Sequence, residues 1–217
     1  MNIITSIIER VGRFFIDTFK NIRPSVQNFG FFLLFIGSSM KHLVGDKIRW
    51  NLMLIQMRTI GVNSVFIVML TGLFTGMVMA LQTGRAFQLF QAEALTGAVC
   101  TLAIVKELGP VLATLMITAR SGSAMAAQIG TMQVSQQIDA LTSMAINPMG
   151  YLVAPRILAA IVVTPILTAL FDFIGVIGSY IVGVGLLKIN HAGVMDKIIT
   201  YTSTNNIVEG LFKPAVF

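Results

Sequence analysis

Three long apolar windows organise the chain. The first lies between Arg58 and Arg85 and contains no charge. Its core, Val62 to Leu81, corresponds to about 30 Å of helix at ~1.5 Å per residue, enough to cross a bilayer. The second runs from about Thr96 to Ala119 and is interrupted by Lys106 and Glu107. The third lies between Arg156 and Lys188, with Asp172 as its sole charge. Two shorter patterns precede them. Over residues 3–22, Ile3, Ile4, Ile7, Ile8, Val11, Phe14, Phe15, Phe19 and Ile22 share one helical face. Glu9, Arg10, Arg13, Asp17 and Lys20 take the other, and Arg23-Pro24 supports a stop. Such a helix suits the membrane interface. Residues 29–40 are apolar but too short to span alone, so they predict a second interfacial or partly embedded helix, with a tilted span reaching Val44 as the alternative.

Composition agrees with this pattern. Hydrophobic residues make up 55% of the chain, charged residues 11%, and mean hydropathy is +0.83. Soluble domains carry about 25% charged residues. The expected fold is therefore all-α, a polytopic helical bundle in a membrane. The net charge of +6 is placed beside the apolar windows, as positive-inside topology requires, rather than in a nucleic-acid-binding patch. Residues 1–58 hold eight of the basic residues, which predicts a cytoplasmic N-terminus. Residues 83–95 and 188–206 are then external, and residues 120–156 cytoplasmic.

Small residues mark expected contacts between spans. Gly72 and Gly76 form one small-xxx-small step; Gly175, Ser179 and Gly183 form another ridge. Gly122, Ala126 and Gly130 form a third, read here as helix packing. Gly109-Pro110 predicts a kink, because Pro110 removes a helix hydrogen bond.

Signatures of catalysis are absent from the sequence. It holds no phosphate loop, no His-Glu-x-x-His zinc motif and no Gly-x-Ser-x-Gly elbow. His42 and His191 are far apart, and Cys100 is the single cysteine, so no internal disulfide forms. No catalytic residue, metal ligand or cofactor is expected in this chain.

The charges inside the spans are functional candidates, since a charge in hydrocarbon costs several kcal/mol unless paired or wetted. Lys106 and Glu107 point about 100° apart on a helix and do not simply pair with each other. Two readings stand: a cavity or lipid-facing role, or an inter-helix ion pair that fixes packing. Asp172 either lines a polar path or hydrogen-bonds a neighbouring helix, and the second reading is favoured. Residues 133–145 predict a short amphipathic helix: Val134, Ile138, Leu141 and Ala145 make a stripe beside Gln133, Gln136, Gln137, Asp139 and Ser143. Thr131 is placed to cap it, and Asn147-Pro148 to end it. A helix there suits docking into a partner's groove, or is an ordinary interfacial loop helix.

The ordered set Lys106-Glu107-Leu108-Gly109-Pro110, Arg120-Ser121-Gly122-Ser123-Ala124, Gln128-Ile129-Gly130-Thr131-Met132, Gln136-Gln137-Ile138-Asp139-Ala140-Leu141 and Asn147-Pro148 resembles the permeases of Mla-type lipid ABC transporters, the MlaE family, over roughly residues 50–190. The resemblance implies a phospholipid permease of a bacterial inner membrane, working as a homodimer. A cytoplasmic ATPase would carry ATP and magnesium, and an MCE-domain protein would sit on the external side. It implies a lipid-pathway role for Lys106 and Glu107, to which Asp172 is added as a candidate. It also implies an ATPase-coupling role for Gln133, Val134, Gln136, Gln137, Ile138, Asp139 and Leu141. Gln128 and Gln136 stand where the family commonly has glutamate, which removes possible charge-assisted contacts. The expected organisation is residues 1–45 as interfacial helices and residues 46–217 as a permease domain. Apolar character returns at Ile207 and the chain ends at Phe217. The family continues with two more membrane helices, so a truncated permease domain is expected. An ion-coupled secondary transporter using Lys106, Glu107 and Asp172 as a relay is the alternative, and a non-transporting membrane scaffold is the third reading.

Overall fold

A computed structural model describes residue 24, residues 26–41 and residues 50–216. The amphipathic helix predicted over residues 3–22 and the possible extension to Val44 lie outside the described residues. Helix α1, residues 26–41, bears out the second short helix. Its aromatic and aliphatic side chains, Phe29, Phe31, Phe32 and Leu34 among them, are exposed. Only a membrane or another chain makes such a surface stable.

Three continuous helical rods follow, each long and apolar enough to cross a membrane. The first, α2, runs Trp50–Gln88, 39 residues. The sequence expectation caught only its middle, because Arg58 and Arg85 bound the apolar window but do not break a helix. The rod ends where Gln91 takes a left-handed backbone (φ 53°).

The second rod begins with a 3-10 turn at Glu93–Leu95 and continues as α3, Thr96–Ala103. It then widens into a π-helical turn at Ile104–Leu108 and runs on as α4, Gly109–Val134. The widened turn falls directly before Gly109-Pro110, where a kink was expected and the helix instead takes a π-helical turn. Pro110 has no N–H to donate back into the preceding turn.

A left-handed Gln136 (φ 57°) breaks the chain after α4 and starts α5, Gln137–Ser143. The third rod comprises a π-helical turn at Met149–Val153, α6 at Ala154–Tyr180, and a second π-helical turn at Ile181–Leu186. Two short helices complete the described chain: α7, His191–Tyr201, and α8, Thr204–Val216. The Asn190 side chain caps α7 by accepting from the Ala192 N–H at 3.1 Å.

Helices α2 and α6 run parallel and touch along most of their length, with α3–α4 antiparallel against both. The order of contacts shows the direction: Gly61 meets Val163, Gly72 meets Phe171, Gly76 meets Gly175 and Gly84 meets Leu187. Glycine makes this seam possible. A methyl on Gly76 would collide with the Gly175 carbonyl, and one on Gly72 would lie 2.8 Å from the Phe171 carbonyl oxygen. Gly72 and Gly76 of the first small-xxx-small step thus lie in the contact between α2 and α6. Gly175, Ser179 and Gly183 of the second ridge are all buried, but of its two glycines only Gly175 has a neighbour within 4 Å of an added methyl, and Gly183 has none. Val68, Ile104, Ala113, Ile117, Val163, Leu167 and Phe171 form the buried core between the rods.

Candidate functional site

The two charges of the second rod sit on its π-helical turn, and α8 crosses that turn. Gly210 makes the crossing close: a methyl there would strike the Val105 carbonyl. Its neighbours on α8 then reach both charges. Lys106 Nζ lies 3.4 Å from Glu209 Oε2, and Lys213 Nζ lies 2.9 Å from Glu107 Oε1. Lys213 also donates to the Lys106 carbonyl oxygen at 2.6 Å. That carbonyl is in need of a donor, since Pro110, four residues on, has no N–H to give it. One ammonium group thus closes both an ion pair and a backbone vacancy left by proline.

Four charges therefore form two crossed rungs between the π-turn and α8. This is the inter-helix pairing that was one of the two readings of Lys106 and Glu107. The quartet is not interior. The Glu107 side chain is 71% exposed and that of Glu209 62%, so half of each rung faces whatever surrounds the bundle. Glu209 and Lys213 were missed in the sequence. Their signal was present: an acid and a base at i, i+4 on one helix face, opposite in order to Lys106-Glu107.

Asp172 lies on α6, buried against Gly109. A methyl at Gly109 would collide with the Asp172 carboxylate, so the glycine after the π-turn makes room for the acid. The favoured expectation, a hydrogen bond to a neighbouring helix, is not met: Asp172 Oδ1 is buried with no hydrogen-bond partner among the described residues. Asp172 approaches the second rod at the π-turn's C-terminal edge, the same turn that carries Lys106 and Glu107. The structure thus brings the three charges predicted from sequence to one short segment.

The predicted amphipathic helix over residues 133–145 needs correction. Gln133 and Val134 are the last residues of α4, and the separate helix is only α5. Gln136 is the left-handed hinge residue before it. Thr131 is no cap: it sits inside α4 with its hydroxyl donating to the Ala127 carbonyl. The stripe of apolar residues extended too far because α4's exposed face carries the same periodicity. Within α5, Ile138 and Leu141 are half-buried, Gln137 and Asp139 exposed, and no residue is fully buried.

The third small-residue ridge also departs from expectation. Gly122, Ala126 and Gly130 are exposed, and no neighbour among the described residues comes within 4 Å of a methyl placed on either glycine. The ridge does not pack within the described chain. Near it, Arg156 is 7% exposed and crosses from α6 to α4. It donates to the Leu152 carbonyl at 2.9 Å and to Gln128 Oε1 at 3.4 Å.

The geometry defines a helical bundle with three rods long and apolar enough to cross a membrane and a charge quartet on the second. Residues 53–217 match the family model described as "Permease MlaE", and the chain belongs to that family. It is 38% identical over 191 residues to a probable ABC transporter permease of Rickettsia felis, covering 88% of this chain and 74% of that one. A probable ABC transporter permease of Synechocystis is 37% identical over 181 residues, 83% of this chain and 69% of the relative. The intermembrane phospholipid transport system permease protein MlaE of Haemophilus influenzae is 33% identical over 220 residues. That match covers 99% of this chain and 80% of the relative. The family places this chain as a transport subunit of the ABC type, without an ATPase site of its own.

Proposed function

We propose that this chain moves phospholipid between a bacterial inner membrane and the cell envelope. It does so as a homodimer driven by a cytoplasmic ATPase that holds the ATP and magnesium. An MCE-domain protein receives or supplies lipid on the external side, and residues 46–217 form the permease domain. The observation that carries the reading is the half-exposed charge quartet across the second rod, in a chain whose relative over 99% of its length is named a phospholipid permease. Charges at membrane depth that are paired yet still accessible fit the wall of a wet cavity that receives a headgroup. A second copy facing the quartet would enclose that cavity. Lys106, Glu107 and Asp172 are then lipid-pathway residues, with Glu209 and Lys213 as their partners.

Coupling to the ATPase is assigned to α5 and its approach, Gln136 to Leu141. This short helix joins two spans and leaves its polar side uncovered, as docking into a groove requires. The test is purification with the ATPase of Ile138→Asp combined with Asp139→Arg. The variant permease is expected to insert at normal yield and to lose the ATPase. Retention of the ATPase at unchanged yield overturns the assignment.

A further inference from the structure

The geometry points to the cleft between α2 and α4 as a seat for the phosphate-bearing headgroup of a membrane lipid, in the leaflet at the α5 end of the bundle. This site is separate from the charge quartet. It has a volume of ≈ 290 Å³ and is lined by Gln56, Asn63, Arg120 and Gln128 over a floor of Ile60 and Met125.

Charge argues for an anion. The Arg120 guanidinium makes no ion pair or hydrogen bond with the described residues. A second guanidinium, that of Arg156, reaches the cleft's edge through Gln128 Oε1 and has no acidic partner among the described residues. No acid is near in sequence to answer either: none occurs between Asp46 and Glu93, nor between Glu107 and Asp139. A planar guanidinium beside amide donors matches the oxygens of a phosphodiester.

Position argues for a lipid rather than a free ion. Gln56 and Asn63 recur at seven residues along α2, and Leu70 continues the same face. Phe66, Leu70 and Phe74 beyond Asn63 are all exposed. A polar pocket at the start of the apolar run, followed along one face by uncovered aromatic and aliphatic side chains, has the layout of an amphiphile. The pocket takes the headgroup and glycerol, and the acyl chains lie along the α2 face. The choice of lipid as ligand rests on the proposed permease function.

The test uses the full chain with its ATPase in vesicles of phosphatidylcholine and phosphatidylglycerol. A trace of phosphatidylglycerol carrying a photoreactive headgroup is added, and cross-linked peptides are mapped. Adducts are expected on residues 56–63 and 120–128. Arg120→Gln should lower them about tenfold or more, the loss expected for a charge-assisted contact. Gln128→Glu, which sets a carboxylate in the cleft beside the Arg156 guanidinium, should lower them as well with the fold intact. Lys106→Met should leave them in place. Equal labelling in Arg120→Gln and Gln128→Glu overturns the seat, as does cross-linking of these residues to a second copy instead of lipid. Displacement by inorganic phosphate as effective as by short-chain phospholipid overturns the lipid assignment. The two proposals fail separately: transport with an unlabelled cleft removes the seat alone, and a labelled cleft without transport removes the permease reading alone.

Discussion

Along α2, Gly72 and Gly76 lie beneath α6 with no space for a methyl group; along α4, Gly122, Ala126 and Gly130 recur at the same four-residue spacing and face nothing in the described chain. The two ridges are nearly indistinguishable in sequence. What separates them is the partner. The α2 ridge meets Phe171 and Gly175 on a helix that is itself notched by small residues, so the two backbones approach with no space for a methyl between them. The α4 ridge lies on the exposed side of a stretch whose other residues, Ser121, Met125 and Gln128, meet α2 and α6. A small residue permits close approach; it does not supply the surface that approaches. The dry seam fixes the fold, and the bare ridge is a surface on which an assembly can be built.

The comparison breaks first at the seam. Gly76→Leu places a side chain against the Gly175 backbone, which cannot move aside as a flexible side chain would. Overpacking typically costs about 1–3 kcal/mol and more where backbone must shift. The expected result is loss of most folded protein on detergent extraction, read by size-exclusion yield and thermal unfolding. Gly130→Leu, with open space at its Cβ, should leave the chain's own folding unchanged in the same assays. Equal damage at both positions would mean that the two ridges do the same job.

A smaller effect is expected at the quartet, which lies between the two regimes: paired by α8, yet half-exposed. Glu107→Gln leaves Lys213 with its backbone bond to Lys106 but without its carboxylate. Exposed pairs in water contribute up to about 1 kcal/mol, and pairing matters more in hydrocarbon. Glu107→Lys should lower complex yield, and Lys213→Glu added to it should restore much of that yield, because the rung is re-formed with its charges exchanged. Restored yield with altered co-purified lipid supports a lipid-facing rung. Restored yield with unaltered lipid makes the quartet a packing device only.

How far the sequence reached follows the same division. The three rods were legible because hydropathy reports what a membrane requires, whatever the tertiary contacts. The α2–α6 seam was legible because Gly72, Gly76 and Gly175 are placed where both helices need them. Lengths were not: Arg58, Arg85 and Arg120 look like boundaries in a hydropathy window, yet helix hydrogen bonding passes through all three. The second window was read only as far as Ala119, whereas α4 runs on to Val134, so Gln133 and Val134 were assigned to the following helix. The stripe that suggested one helix spans a left-handed Gln136, and hydrophobic periodicity carries no record of a backbone turn. The partners of Lys106 and Glu107 were illegible for another reason. Pairing across more than 100 residues depends on Gly210 letting α8 cross the π-turn, and that contact exists only in three dimensions.

The smallest effect sharpens the contrast most, because its sign changes with context. Glycine within a helix is less favourable than alanine by about 0.5–1 kcal/mol, since it loses more backbone freedom on folding. Gly122 and Gly130 have space for the added methyl and ordinary helical backbone. Gly122→Ala with Gly130→Ala should therefore raise the unfolding temperature of the isolated chain in detergent slightly. In the assembled transporter the outcome divides. If a second copy or another subunit packs on this ridge as tightly as α6 packs on Gly76, the two methyl groups obstruct it, and assembly yield falls while the isolated chain gains stability. If the ridge meets only lipid, both chain and assembly gain. Gain in the chain with loss in the assembly would show that the α4 ridge is a seam whose other half lies outside the described residues.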